Sequence, residues 1–551
     1  MPHGQADSTH ALAPHALVPH ALVTVREAVL ALMRELGMTT VFGNPGSTEL
    51  PFLDRWPEDF RYVLGLQESC VVGMADGFAR ASGRAAFCNL HSAVGVGHAA
   101  GNIFTAYRNQ APLVITVGQQ ARSLLPGNPF LGATEAANFP RPYVKWSIEP
   151  ARAEDVPGAI AHAHRIAMQR PWGPTLVSIP MDDWSVPTRP VAARRVSVDV
   201  APDPALLDMM AEALGRAARP VLVVGPEVDQ EGAGPALLAL AERLGAPVLA
   251  SPFASRMAFP EDHPLFAGFL PAAPGAVAQG LAGHDLVAVI GAPVFTFHVA
   301  GECGLFHDGT PVFQLTSDIE AAAAAGTGTA ILGSMRLALP ALLSRLGAAS
   351  RAVPPPRERP PAPPPAAPLP AEYLFAALRR SMPQDAIVVE EAPSHRPALQ
   401  RHLPITRWGG FYTMASGGLG YSLPAAVGVA MAQPGTRVVA VIGDGSMMYS
   451  IQAIWTAVQH RLPLTIVVVN NAGYGAMRSF SRVLGVEGAP GIELPGLDFV
   501  SLAAGMGCPG RRVEEAGGLE AALAEAFAED GPRLVDVAVD HAVPHLYQKA
   551  K

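Results

Sequence analysis

Asp444 sits between two glycines in VVAVIGDGSMM, residues 438–448, and Asn471 closes the run LPLTIVVVNN, 27 positions further on. A carboxylate and an amide carbonyl are hard oxygen donors. With further places left for phosphate and water they suit Mg2+, which seldom takes an all-protein cage. Gly443 and Gly445 leave a bare loop where phosphate oxygens approach the backbone. The pattern points to a divalent cation clamping a diphosphate. A hairpin turn is the competing reading of Asp-Gly.

The elements that must position these donors are legible nearby. Val438, Val439, Ala440, Val441 and Ile442 form an apolar run that reads as a strand buried on both faces. Ile451, Ile454, Trp455 and Val458 recur at helical spacing, and LPLTIVVVNN is a second buried strand. Strand, helix and strand without a hairpin make a right-handed crossover, so the two strands run parallel and their carboxyl ends lie side by side. That geometry predicts Asn471 close to Asp444.

The 551 residues are too many for one core. A formal charge of -8 without a basic cluster argues against nucleic acid as a partner. The mean hydropathy of +0.24 comes from scattered Ala, Val and Leu rather than an apolar span of about 20 residues, so no membrane is expected. Cys70, Cys88, Cys303 and Cys508 lack the spacing of a disulfide framework or zinc site, which predicts buried thiols and a cytoplasmic location. Residues 1–22 repeat His-Ala-Leu between prolines and read as a flexible tail. The only lysines are Lys145, Lys549 and Lys551, which discounts a pyridoxal phosphate enzyme needing a Schiff-base lysine.

Two stretches lack core periodicity: VPTRPVAARRVSVDVAPDP at 186–204 and the proline-rich spacer at 351–370. They divide the chain into blocks at 23–190, 205–350 and 371–551, each of ordinary domain size. All three alternate short buried strands with helices: LVITVGQ and TLVSIP, then PVLVVG and LVAVIGA, then AIVVE, VVAVIGDG and LTIVVVNN. The expected fold is α/β, with three open parallel-sheet domains.

With GDG and a strand ending in NN set in such a frame, the sequence resembles the thiamine diphosphate-dependent 2-oxo acid decarboxylases, on the benzoylformate decarboxylase branch. VFGNPGSTELPFL, LQESCVVGMADGFARASG, NLHSAVGVGHAAGN, RPYVKWSIEP, GAPVFTFH and SGGLGYSLPAAVG carry the likeness, in one order and register from about 24 to 540. The resemblance implies thiamine diphosphate and Mg2+. It implies a pyrimidine-binding first domain, a middle domain and a diphosphate-binding third domain, with the cofactor bent at the interface of a homodimer that pairs into a homotetramer.

On that resemblance Asp444, Asn471 and the carbonyl of Gly473 fall on the metal-ligand positions, and Gly443, Gly445 and Ser446 on the diphosphate. Leu419 falls on the apolar wedge beneath the bent cofactor; a plain core leucine is the alternative. Glu68 matches the glutamate that hydrogen-bonds the aminopyrimidine. Its neighbours Leu64, Leu66, Val71 and Val72 suggest a dry setting that favours sharing a proton. The alternative is a surface glutamate opening a helix. His91 and His298 match the active-site histidines, assigned to proton transfers around the substrate carbonyl. Ser47 would hydrogen-bond the substrate carboxylate; the alternative is a helix N-cap. No lysine or arginine in these motifs is an obvious carboxylate clamp, which suits decarboxylation, because the transition state disperses that charge.

Two stretches depart from the pattern. Thr413 stands where an aromatic pocket residue is expected, and EEAPSHRP replaces a Ser/Thr-rich run, making Pro393 and His395 unfamiliar lining. Phe130, Leu131, Ala476, Met477 and Phe480 would keep the pocket apolar for an aryl or branched 2-oxo acid. The leading expectation is decarboxylation of benzoylformate to benzaldehyde and carbon dioxide. The alternatives are a carboligase or lyase like acetolactate synthase or 2-hydroxyacyl-CoA lyase, a decarboxylase for another aryl or branched acid, and a regulatory protein that keeps the fold without turnover.

Overall fold

The computed structural model describes residues 21–301, 309–347, 351, 355, 357–542 and 546, and three six-stranded parallel sheets organise them. In spatial order the first holds Arg61–Leu64, Thr40–Asn44, Ala86–Leu90, Leu113–Gln119, Thr175–Pro180 and Trp146–Ile148. The third holds Phe411–Thr413, Ile387–Glu391, Val438–Gly443, Leu464–Asn470, Arg533–Ala538 and Gly510–Val513. Both therefore run 2-1-3-4-6-5 in chain order, whereas the middle sheet runs 3-2-1-4-5-6. Helices cover both faces of each sheet, which is why the central strands read as unbroken apolar runs.

The crossover expected around Asp444 is present. Val438–Gly443 pairs in parallel with Leu464–Asn470, Gly443 lying opposite Val469. The connecting helix spans Ala453–Gln459, so Ile451 falls in the turn before it, though still buried. One feature was not anticipated: Val23–Thr24 pairs antiparallel with Pro187–Thr188, so the stretch at 186–204 begins as a short strand that closes the first domain.

The first and third domains share one continuous apolar core. Helix Glu68–Ser82 packs on helix Ser422–Ala432 so closely that backbones touch: a Cβ at Gly77 would stand 2.1 Å from the Ala425 carbonyl oxygen, and one at Gly428 1.9 Å from that of Met74. Polar groups bolt all three domains at one edge of this contact. Arg80 donates to the Tyr421 hydroxyl (2.6 Å), the Thr413 carbonyl (3.0 Å) and the Ser255 carbonyl (2.9 Å), while Tyr421 donates to Asp76 (2.6 Å). Arg256 pairs with Asp229 at 2.7 Å and donates to the Arg80 carbonyl. Removing one member strands buried partners, so Arg80→Leu is expected to cost about 3–5 kcal/mol, read as a lower midpoint of urea unfolding.

Among the described residues no helix is long and apolar enough to cross a membrane. Cys70, Cys88 and Cys508 are buried free thiols, and burial pushes Cys70 and Cys508 up to about 12. Lys145 donates to the Ile166 and Pro171 carbonyls (2.8 and 2.6 Å) at the end of helix Val156–Met168, a capping role. The tail at 1–20, Cys303, Lys549 and Lys551 lie outside the described residues.

Candidate active site

In a 2-1-3-4 sheet the connections leave the first and third strands toward opposite faces, opening a crevice at their carboxyl ends. In the third domain that crevice lies between Ile387–Glu391 and Val438–Gly443, and Asp444 stands at its edge. Asp444 is 3% exposed and accepts the Gly445 N–H on Oδ1 and the Gly473 N–H on Oδ2, both at 2.8 Å. The second bond lays the Asn471–Gly473 turn against the acid. Burial pushes the Asp444 carboxyl up to about 6, a penalty that an adjacent cation would reverse.

The turn itself is strained. Ala472 adopts a left-handed φ of 53°, at a cost of about 1–2 kcal/mol, and is held there by the Leu494 N–H on its carbonyl (2.9 Å). Asn471 is 2% exposed, and its Nδ2 has no hydrogen-bond partner among the described residues. A Cβ at Gly475 would stand 2.7 Å from that atom and 2.8 Å from Ser394 Oγ, so glycine is what lets Asn471 and Ser394 converge. The Gly473 carbonyl takes the Gly475 N–H at 3.0 Å, which uses one lone pair and leaves the other.

Sequence reasoning missed Ser394 and Glu391. Ser394 follows the first strand of a 2-1-3-4 sheet, a position that the strand order marks as ligand-facing. Glu391 is buried and accepts N–H groups from Gly420 (2.6 Å), Tyr421 (2.9 Å) and Ser422 (2.6 Å), which fixes the loop carrying Leu419. Leu419 itself is partly buried against the shared core.

The first domain repeats the arrangement between Thr40–Asn44 and Ala86–Leu90. His91, at the N-cap of helix Ser92–Arg108, places Nδ1 2.8 Å from Glu49 Oε2 and 3.1 Å from Thr48 Oγ1. The buried Glu49 also accepts the Gly46 N–H (2.8 Å) and the Thr48 hydroxyl (2.6 Å). With Nδ1–H directed at Glu49, Nε2 keeps its lone pair for a proton. Gly46 permits this approach, since a Cβ there would lie 2.2 Å from Nδ1. Ser47 is exposed and begins the short turn Ser47–Glu49, with Gly46 at the cap, so Ser47 is not the N-cap.

Glu68 opens helix Glu68–Ser82, with the Gln67 side chain capping it through the Cys70 N–H (3.1 Å). The glutamate is 8% exposed and its Oε2 lies 3.0 Å from His98 Nδ1, a partner the sequence did not announce. Val71 and Val72 are buried as expected, but Leu66 is exposed, so the dry setting is one-sided in the single chain.

His298, from the middle domain, stacks on Phe480 with centroids 4.9 Å apart. Phe480 lies on helix Gly475–Leu484, which also carries Ala476 and the exposed Met477. Phe130 is 87% exposed beside Leu131, whose φ is 61°. Pro393 is partly exposed beside Ser394.

Two expected lining residues are placed otherwise. Thr413 is 1% exposed because its hydroxyl donates to the Glu390 carbonyl (2.8 Å) and accepts from Arg396 (2.7 Å), which itself pairs with Glu390. His395 turns its ring inward, and burial pushes it down to about 4. In the middle domain the buried Glu227, which follows strand Pro220–Val224, takes the Ser317 N–H (2.7 Å) and the Thr316 hydroxyl (2.7 Å).

Three sets thus form: Asp444, Asn471, Gly473 and Ser394 in the third domain, and in the first Glu49 with His91, next in sequence to Ser47, and Glu68 with His98. Among the described residues no hydrogen bond joins Glu68 or His91 to the third-domain group.

Family signatures match the chain in order: "Thiamine pyrophosphate enzyme, N-terminal TPP binding domain" over 23–137, "central domain" over 207–342 and "C-terminal TPP binding domain" over 392–537. The chain belongs to the thiamine pyrophosphate enzyme family. Among thiamine pyrophosphate enzymes it is 44% identical to benzoylformate decarboxylase of Pseudomonas aeruginosa, over 93% of this chain and 98% of that one. The crystal structure of benzoylformate decarboxylase from Polynucleobacter necessarius superposes with a TM-score of 0.92 at 40% identity, covering 95% and 99% of the two chains. A thiamine diphosphate-dependent 4-hydroxybenzoylformate decarboxylase from Rhodococcus jostii superposes at 0.91, with 41% identity and coverage of 94% and 100%. The residues present fit the family's cofactor: the desolvated Asp444 carboxylate, the Gly473 carbonyl with one lone pair to spare and the buried Asn471 of the same turn offer hard oxygen donors at the edge of the crevice.

Proposed function

We propose that the protein decarboxylates benzoylformate to benzaldehyde and carbon dioxide, using thiamine diphosphate anchored by Mg2+. The observation that carries this reading is the pair of histidines. His91 is oriented by Glu49, and His298 stacks on the helix that follows the Asn471–Gly473 turn. Two placed imidazoles suit a reaction that takes a proton from one substrate atom and returns one to another.

Thiamine diphosphate, when bound, supplies the carbon that attacks the 2-oxo group and the ring that takes up the electron pair released with carbon dioxide. Asp444, Asn471 and the Gly473 carbonyl would hold Mg2+, and Gly443, Gly445, Ser446 and Ser394 would hold the diphosphate. The Leu419 side chain would give the cofactor an apolar surface to rest on. Glu68 holds a proton toward the aminopyrimidine ring. Ser47 donates to the substrate carboxylate, and His91 and His298 move protons at the carbonyl oxygen and at the carbon that becomes the aldehyde. Phe130, Leu131, Ala476, Met477 and Phe480 exclude water from an aryl-sized space, with Pro393 at its edge. The site is completed by a second copy, whose first domain meets this chain's third, giving a homodimer at minimum and a homotetramer by pairing. Reduced, buried cysteines suit a cytoplasmic setting.

The test is to offer purified protein a panel of 2-oxo acids with thiamine diphosphate and Mg2+. Benzoylformate is expected to give equal amounts of carbon dioxide and benzaldehyde, and to outrun aliphatic acids. Acyloin as the sole product would replace this reading with a carboligase.

A further inference from the structure

Glu68 has two carboxylate oxygens and, among the described residues, one hydrogen-bond partner. Oε2 lies 3.0 Å from His98 Nδ1, and Oε1 takes no hydrogen bond. We propose that His98 is a positioning residue: its Nδ1–H pins Oε2 and thereby presents Oε1 as the oxygen that meets the aminopyrimidine ring. This rests on the reading of Glu68 given above.

The arrangement is built into two helices. Glu68 is the first residue of Glu68–Ser82, and His98 lies in the second turn of Ser92–Arg108. Between them Gly95 leaves room, since a Cβ there would stand 3.3 Å from Glu68 Cγ and 3.5 Å from Oε1. The glutamate side chain therefore lies flat across the Gly95 and His98 face. Gln67, the cap of the first helix, reaches the His98 carbonyl at 3.4 Å and ties the two helices beside the pair.

A carboxylate as buried as Glu68 loses most of its hydration and rotates freely only if nothing holds it. A single N–H donor on Oε2 removes that freedom and leaves the lone pairs of Oε1 for a second partner. The His98 side chain is 57% exposed, so the ring is held by this contact rather than by core packing. The useful property is a donor at the Nδ1 position, and the amide nitrogen of asparagine reaches the same place on a shorter side chain.

The test compares His98→Ala with His98→Asn, using apo-protein reloaded with thiamine diphosphate and Mg2+. His98→Ala is expected to lower kcat about tenfold, the low end for disturbing an acid–base contact, with KM for benzoylformate little changed. It is also expected to weaken cofactor binding measured by calorimetry, a readout independent of turnover. His98→Asn is expected to recover most of both losses, and the thermal midpoints of all three proteins should agree. Unchanged kcat and cofactor affinity in His98→Ala would overturn the proposal, and so would an asparagine variant no better than alanine. Glu68→Gln run in parallel separates the two claims. If that variant is silent, the role of Glu68 has failed; if it is slow while His98→Ala is silent, only the role of His98 has failed.

Discussion

Glu68→Gln is expected to retain thiamine diphosphate while slowing turnover of benzoylformate by at least about tenfold, and by 10² or more if the contact is worth a typical acid–base residue. Glutamine is isosteric and keeps an acceptor that His98 can address, so the helix start and the 3.0 Å contact need not change. What it lacks is the ability to share a proton with the aminopyrimidine ring. The loss should fall on kcat rather than on KM, because the proposed role of Glu68 is toward the cofactor's aminopyrimidine and not toward the substrate. Steady-state kinetics with cofactor content measured on the same preparation checks this. Unchanged turnover would remove Glu68 from the mechanism.

The second large effect is expected from Asp444→Ala. The substitution removes the carboxylate proposed to hold Mg2+ and also strands the Gly445 and Gly473 N–H groups now held at 2.8 Å, each left without its acceptor at about 1–3 kcal/mol. The Asn471–Gly473 turn, already strained at Ala472, loses its anchor. Cofactor retention should fall by about 100-fold or more, beyond what loss of a supporting partner alone produces. Thiamine diphosphate and Mg2+ content after gel filtration is the measurement, and a normal content would contradict the assignment. A pH effect accompanies it in the native protein. The carboxyl pKa is raised to about 6 without the metal, so protons compete with Mg2+ below that value. Mg2+ affinity should be flat above about pH 6 and fall as pH drops through it.

Mixing the two variants tests the shared site. In a mixed dimer one site combines both lesions, and the other combines the intact first domain of one copy with the intact third domain of the other. Activity regained on co-expression is the expected result. If each site lay within one chain, the mixture would stay as slow as its components.

The Asp444 corner was legible because everything that builds it is local: one apolar strand, one helix and a second strand, with the handedness of the crossover deciding the rest. That reading set Asn471 beside Asp444, and the Gly473 N–H of the same turn bonds Asp444 Oδ2. Thr413 shows the opposite case. Its position suggested a pocket wall, yet Arg396 and the Glu390 carbonyl draw the hydroxyl inward, a consequence of two neighbouring strands that no motif displays. Glu391, too, reads as the end of a strand until its carboxylate is seen gathering three N–H groups from a loop about 30 positions away.

By itself, then, the amino-acid order determined the three parallel sheets, the Asp444 corner and the family likeness, since apolar periodicity, glycine placement and crossover handedness act over short stretches. Only the tertiary structure decided which polar group each candidate touches: Glu49 for His91, His98 for Glu68, Phe480 for His298 and Arg80 for Tyr421. Those pairings lie 30 to 341 positions apart in the two extremes of Glu68 with His98 and Arg80 with Tyr421. They depend on how sheets and helices are set against one another to within a hydrogen bond's length, a tolerance far finer than any hydrophobic pattern imposes.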